Sequence, residues 1–206
     1  MISTQKAPLR VVVTGYGPFG GRSVNPSDTL GQQVSQMPVD GATIEYRRLD
    51  VNHDSVDGFM GQILQNPPDV IMSMGVSWKP QLEELPENRV GGGREGETHP
   101  AGPILPGHPG TVATDLPTEK LEKALGGFPG RRVGTHYSSS NYQPDRSAYL
   151  CNYLNYRLSD AFSGDSAQAR ATTAGFFHIT ENVSKEEMHL ALETICKHHR
   201  DSLTTA

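Results

Sequence analysis

Cysteine is nearly absent. Cys151 and Cys196 are the only two in 206 residues, too few for a disulfide framework in a chain of this size. In a reducing compartment both are thiols, and each needs explaining as packing or as chemistry. No apolar stretch approaches the roughly 20 residues that span a bilayer. The N-terminal MISTQKAPLR runs straight into VVVTG without an apolar signal region, which predicts a cytoplasmic protein. Lys/Arg runs are missing too. With 18 basic against 23 acidic residues the net charge is −5, so no nucleic-acid partner is expected. No His/Cys/Asp spacing resembles a zinc site. No GxSxG elbow accompanies Ser138 to Ser140, which leaves no serine-hydrolase signal.

What is present is a chain rich in turns, with 22 glycines and 15 prolines. At this length one globular domain over residues 1–206 is expected. Strand-like and helix-like segments alternate. Arg10 to Thr14, Thr43 to Val51, Val70 to Met74, Arg132 to Ser138 and Ala174 to Ile179 read as strands. Helices are predicted from Asn25-Pro26 to about Met37, over Asp54 to Gln65, Pro117 to Leu125 and Ser147 to Phe162. A last one runs from the Ser184–Glu187 capping box to about His199. Strands spaced by helices imply an α/β/α arrangement of three layers around a mostly parallel twisted sheet. Sites on such sheets form beyond the carboxyl ends of strands. Pro86 to Gly110, around VGGGREGETHPAGP, predicts a long irregular loop of the kind that often serves function.

Gly15, Gly17 and Gly20 spell the dinucleotide fingerprint GxGxxG directly after a strand. The fingerprint requires a helix that starts within the glycine turn, and here Pro18 and Phe19 interrupt it. Helix signals wait until Asn25-Pro26, so nucleotide binding is not expected. The loop reads either as a tight turn that needs glycines for its backbone or as one that sets Tyr16 and Phe19 at the rim of a pocket.

The two cysteines differ. Cys196 falls at helical spacing with Met188, Leu192 and Ile195 and reads as a buried small hydrophobe. Cys151 lies at a helix start announced by Pro144, Asp145 and Ser147, where backbone N–H groups and the dipole favour a thiolate. His178, near the end of the strand AGFFHI, reads either as a core residue or as the base that a cysteine nucleophile at a helix start requires. His198 and His199 suit the exposed carbonyls of a helix end.

These residues together resemble a known family. TGYGPFGGRSVNPS (Thr14 to Ser27) is similar to the N-terminal signature of the pyroglutamyl peptidase I family. SAYLCNYLNY (Ser147 to Tyr156) resembles its cysteine motif and GFFHI (Gly175 to Ile179) its histidine motif, in the family's order. The resemblance implies a cysteine peptidase that removes N-terminal pyroglutamate from peptides, with Cys151 as nucleophile, His178 as base and no metal or cofactor. It implies a glutamate in a Leu-Glu segment as third catalytic residue. Leu82-Glu83 with Asn88 fits, and Glu84 and Glu87 compete with Glu83. Arg94 is the counterpart of the family's active-site arginine, with Arg89 second, and Tyr16 and Phe19 line the lactam pocket. The stretch from Gly75 to Glu83 is shorter than the family's, which bears on substrate preference. Two alternatives stay open: a divergent hydrolase of another N-terminal lactam or amide, and a non-catalytic binding protein whose Glu83 is misplaced. A homo-oligomer is compatible with all three.

Overall fold

Four strands of seven or eight residues, one of three and one of two form a sheet across which the chain positions run 42–49, 9–16, 70–76, 173–179, 81–83 and 130–131. The structure, a computed structural model, describes residues 7–91, 96, 98–126, 130–131, 149–164 and 171–205. The strands are β1 (Leu9–Tyr16), β2 (Ala42–Leu49), β3 (Val70–Val76), β4 (Gln81–Glu83), β5 (Gly130–Arg131) and β6 (Thr173–Ile179). β2, β1, β3 and β6 run parallel. β4 is antiparallel to β6, and β5 lies parallel to β4. The helices are α1 (Pro26–Ser35), α2 (His53–Gln65), α3 (Thr118–Leu125), α4 (Leu150–Phe162) and α5 (Lys185–Thr205).

The alternation of side chains along each strand divides the core in two. On one face Val11, Val13, Val70, Met72, Met74, Phe177 and Ile179 meet α1, α3 and α5. On the other Val12, Tyr16, Ile71, Ala174 and Phe176 meet α2 and α4. β1 and β3 are buried on both faces, which is why their sequences are nearly continuous β-branched and apolar runs. The architecture is the expected three-layer α/β/α arrangement.

Local signals set the helix starts. Asn25 caps α1, its Oδ1 accepting from the Ser27 N–H at 3.1 Å. Ser184 and Glu187 form the capping box of α5, with Glu187 N–H donating to Ser184 Oγ at 3.2 Å and Ser184 N–H to Glu187 Oε2 at 2.8 Å. α5 does not stop at His199 but runs to Thr205. His199 is accordingly no helix-end cation: it is 1% exposed and its Nδ1 lies 3.0 Å from Thr173 Oγ1. The expected strand over 132–138 and the helix signals Pro144, Asp145 and Ser147 lie outside the described residues. β4 is the element the sequence pattern does not announce, because three residues are too few to show a period.

Gly15 is inside β1 rather than at its end. A Cβ there would stand 2.2 Å from the Ser27 carbonyl oxygen, so the glycine lets the start of α1 close onto the strand. α1 itself begins at Pro26, beyond the glycine turn, and the geometry of a dinucleotide site is absent from this loop.

Candidate active site

Cys151 is the second residue of α4, after an N-cap residue, Tyr149, whose side chain makes no capping hydrogen bond. The first-turn N–H groups of a helix have no partner within the helix itself. They therefore favour negative charge at this end, where the thiol stands. Beneath the thiol lies Gly75 of β3. A Cβ at Gly75 would sit 2.8 Å from Cys151 Sγ and 2.8 Å from Phe176 Cζ. The glycine is therefore the space in which the thiol rests.

Gly75 pairs across the sheet with His178 of β6. His178 shares its face with Phe176, whose ring meets the imidazole edge-on at 5.3 Å. Its Nε2 lies 2.6 Å from Glu83 Oε1, with only 12% of the His and 5% of the Glu side chain exposed. A carboxylate accepts, so Nε2 carries the proton and the neutral ring keeps its lone pair on Nδ1. Nδ1 is buried and finds no hydrogen-bond partner among the described residues. The imidazole thus has its acid-facing nitrogen fixed and its basic nitrogen uncommitted, on the sheet face where Cys151 stands.

Of the three competing glutamates, the structure brings Glu83 to His178. Glu84 follows it in the chain and is half-buried, its carbonyl accepting from Thr114 N–H at 2.9 Å. Glu87 is bonded through its backbone, N–H to Asn152 Oδ1 at 2.8 Å and carbonyl from Asn152 Nδ2 at 2.9 Å. Asn152 Nδ2 also donates to the Arg89 carbonyl at 3.1 Å, and Asn155 Nδ2 to the Glu83 carbonyl at 3.2 Å. The helix that carries Cys151 therefore holds the segment that carries Glu83. Sequence reasoning missed both asparagines. The signal was there in CNYLNY, as two amides three residues apart on one helical face. Arg94 lies outside the described residues. Arg89 is half-buried and donates its own N–H to the Glu87 carbonyl at 2.8 Å.

A cavity of about 330 Å³ opens beside the thiol, walled by Tyr16, Phe19, Val51, Val76, Tyr149 and Leu150 and reaching Cys151. Tyr16 is buried, and its hydroxyl donates to the Leu150 carbonyl at 2.9 Å. Burial, and then the neighbouring Cys151 and Tyr149, push this phenol well above its ordinary range, so it stays a neutral donor. Phe19 is half-buried on the loop that follows β1. That loop is folded by Asn25 Nδ2 donating to the Gly17 carbonyl at 2.9 Å and by positive φ at Gly20 and Gly21, +61° and +75°. Tyr16 and Phe19 thus come together at the cavity.

Cys196 is in the other core, fully buried on α5, where burial pushes its thiol up to about 11. It is the packing cysteine. Among the described residues no group of three His, Cys, Asp or Glu side chains is arranged to hold a metal ion, and no helix is long and apolar enough to cross a membrane.

Known proteins resemble this chain along most of its length. The pyrrolidone-carboxylate peptidase of Thermococcus onnurineus is 26% identical over an alignment that covers 96% of this chain and 98% of that relative. The Bacillus licheniformis enzyme of the same name is 27% identical, covering 90% and 86%. The crystal structure of pyroglutamyl peptidase I from Bacillus amyloliquefaciens superposes with a TM-score of 0.72 at 21% identity, over 91% of this chain and 93% of that one. A mutant pyrrolidone carboxyl peptidase from Pyrococcus furiosus gives 0.74 at 19% identity, over 95% and 100%. The family profile described as pyroglutamyl peptidase matches residues 9–197, nearly the whole sequence, and the chain belongs to that family of cysteine peptidases.

Proposed function

We propose that this protein removes the N-terminal pyroglutamyl residue from peptides, with Cys151 as nucleophile, His178 as general base and acid, and Glu83 as the group that orients His178. One observation carries the reading: Glu83 holds Nε2 of His178 at 2.6 Å while Nδ1 is left uncommitted on the face that bears the Cys151 thiol. A non-catalytic scaffold with a misplaced carboxylate would lack that contact.

The chemistry follows from these groups. His178 Nδ1 takes the thiol proton, and the sulfur attacks the pyroglutamyl carbonyl carbon, forming the C–S bond. The oxyanion that develops meets N–H groups at the start of α4, where losing one such donor typically costs about 100- to 1,000-fold in rate. Glu83 keeps the proton on Nε2 and stabilises the imidazolium without itself taking the proton. His178 then gives its Nδ1 proton to the departing amine as the C–N bond breaks. Water, deprotonated by the same nitrogen, hydrolyses the thioester and returns the thiol. A pyroglutamyl group has no charged α-amine, and its compact neutral lactam suits the largely apolar cavity beside Cys151. The thiol chemistry requires a reducing compartment, which favours the cytoplasm.

The test is turnover of a chromogenic pyroglutamyl amide. Wild type and Cys196→Ser should both release the chromophore, and Cys151→Ala should lose about 1,000-fold or more, as nucleophile deletions do. Turnover by Cys151→Ala at the wild-type rate would overturn the assignment.

A further inference from the structure

Between β3 and β4 the chain makes a tight arch, and its groups are unused by the chemistry above. Ser77 N–H donates to the Ile179 carbonyl at 2.8 Å, and Gln81 pairs directly with His178. The arch therefore crosses over the carboxyl end of β6, immediately beyond the base. It carries two anomalies. The first is Gln81, only 8% exposed, whose Nε2 is buried and has no hydrogen-bond partner among the described residues. A buried donor left unmatched is costly, and in a native protein it calls for an explanation. The second is Trp78, the most exposed large apolar side chain among the described residues at 70%, with the Lys79 ammonium 4.5 Å from its ring centroid.

The order of the strands says what passes over this arch. The thiol stands over β3, His178 follows on β6, and Gln81 lies on β4. Directly opposed residues of an antiparallel pair have their Cβ atoms about 4.5–5.5 Å apart on one face, so Gln81 flanks His178 on the side away from Cys151. The acyl group attached to sulfur is thus on one side of the base. The amine takes its proton from Nδ1 on that same side, and the chain beyond it runs out over the carboxyl end of β6, which the arch crosses. The first group along that path able to use a donor is the carbonyl of the residue that follows pyroglutamate, and the next is that residue's side chain.

We infer that the β3–β4 arch is the leaving-peptide subsite: the Gln81 carboxamide donates to the carbonyl of the residue after pyroglutamate, and Trp78 packs against that residue's side chain, favouring aromatic ones. The Lys79 ammonium over Trp78 disfavours lysine or arginine there. This inference rests on the pyroglutamyl-peptidase reading and adds a substrate preference to it.

Three substrates separate the contacts. Pyroglutamyl methylamide has neither the carbonyl nor a side chain beyond the scissile bond, pyroglutamyl-alanine amide adds the carbonyl, and pyroglutamyl-phenylalanine amide adds an aromatic ring. Amine release is followed by chromatography for wild type, Gln81→Met, Trp78→Ala and Trp78→Phe. Gln81→Met keeps volume and removes the unmatched donor, so its melting midpoint should rise. Its alanine-amide over methylamide ratio of kcat/KM should fall by about two- to tenfold, the worth of one neutral hydrogen bond. Trp78→Ala should cut the phenylalanine over alanine ratio by about two- to tenfold, the worth of an aromatic pair, and Trp78→Phe should keep most of it. A side chain with a merely structural role would lower all three substrates together. The subsite is overturned if either ratio stays at its wild-type value. Failure of wild type to cleave any of the three would instead overturn the peptidase reading, and the subsite with it.

Discussion

Gly75→Ala puts the geometry around Cys151 to a direct test, because the substitution adds one methyl group at a known place. That methyl would stand 2.8 Å from Cys151 Sγ and 2.8 Å from Phe176 Cζ. Nonbonded heavy atoms rest at about 3.5–4.0 Å, so each contact is short by about 0.7–1.2 Å. One of the two neighbours has to move. Phe176 is fully buried in the core between the sheet and α2 and α4, and interiors packed at crystal density resist displacement. Cys151 is half-exposed at a helix start and gives way first. Displacing a reacting atom by about 1 Å costs about 100-fold, so kcat/KM on a pyroglutamyl amide should fall by about that factor. Overpacking of this kind also costs about 1–3 kcal/mol. In a chain of this length that lowers the melting midpoint by about 2–4 °C for each kcal/mol. The assay measures kcat/KM at a temperature well below the midpoint, beside the midpoint itself by circular dichroism, so lost activity is not confused with lost folding. Gly75→Ala turning over within about threefold of wild type would refute the placement of the thiol over this glycine.

Two further outcomes follow from the same structure. Among Glu83→Gln, Glu84→Gln and Glu87→Gln, only the first should reduce kcat by more than about tenfold, with a ceiling near the 10,000-fold tautomer penalty known for a serine protease; equal turnover by all three would leave a Cys–His dyad. Gly58→Ala lies in the exposed middle of α2, where an added Cβ meets nothing within 4 Å, so it should stabilise the protein by about 0.5–1 kcal/mol with kcat unchanged, and a lowered midpoint by calorimetry would contradict the open space around it.

Much of the fold is legible because burial writes itself into the sequence at the right period. β1 and β3 are covered on both faces and read as apolar runs, and the caps at Asn25 and Ser184 are local hydrogen bonds between residues two or three apart. Cys196 announces its burial by falling in step with Met188, Leu192 and Ile195 on α5. What escapes is set by distant partners. Asn152 and Asn155 look like solvated helix residues until the segments they hold arrive from positions 65 and 72 residues away. His199 resembles a helix-end cation until Thr173 comes beside it. No local pattern encodes either contact, because neither depends on the neighbours in sequence.

The choice among the three glutamates turns on the parity of β4, a strand too short to see in the sequence. β4 is antiparallel to β6 in the register Gln81↔His178, Leu82↔Phe177, Glu83↔Phe176. Opposed residues share a face, so Gln81 and Glu83 lie on the side of Phe176 and His178, toward α4. Leu82 lies with Phe177 in the other core, toward α1, α3 and α5. Glu83 is then the diagonal neighbour of His178, about 7–8 Å away by backbone and within range of a long side chain only. A glutamate with its two methylenes closes that gap to 2.6 Å, where an aspartate would fall short by one. Glu84, one residue further, would alternate to the opposite face if the strand continued. Glu87 is already beyond the strand, tied by its backbone to Asn152. A one-residue slip of β4 would carry Glu83 away from His178 and put Leu82 in its place, or Glu84 if the slip ran the other way. The hydrogen bond from Asn155 to the Glu83 carbonyl works against that slip, because it ties Glu83 to the helix that carries Cys151. Register in this short antiparallel strand, more than the chemistry of any single acidic side chain, determines which carboxylate meets His178.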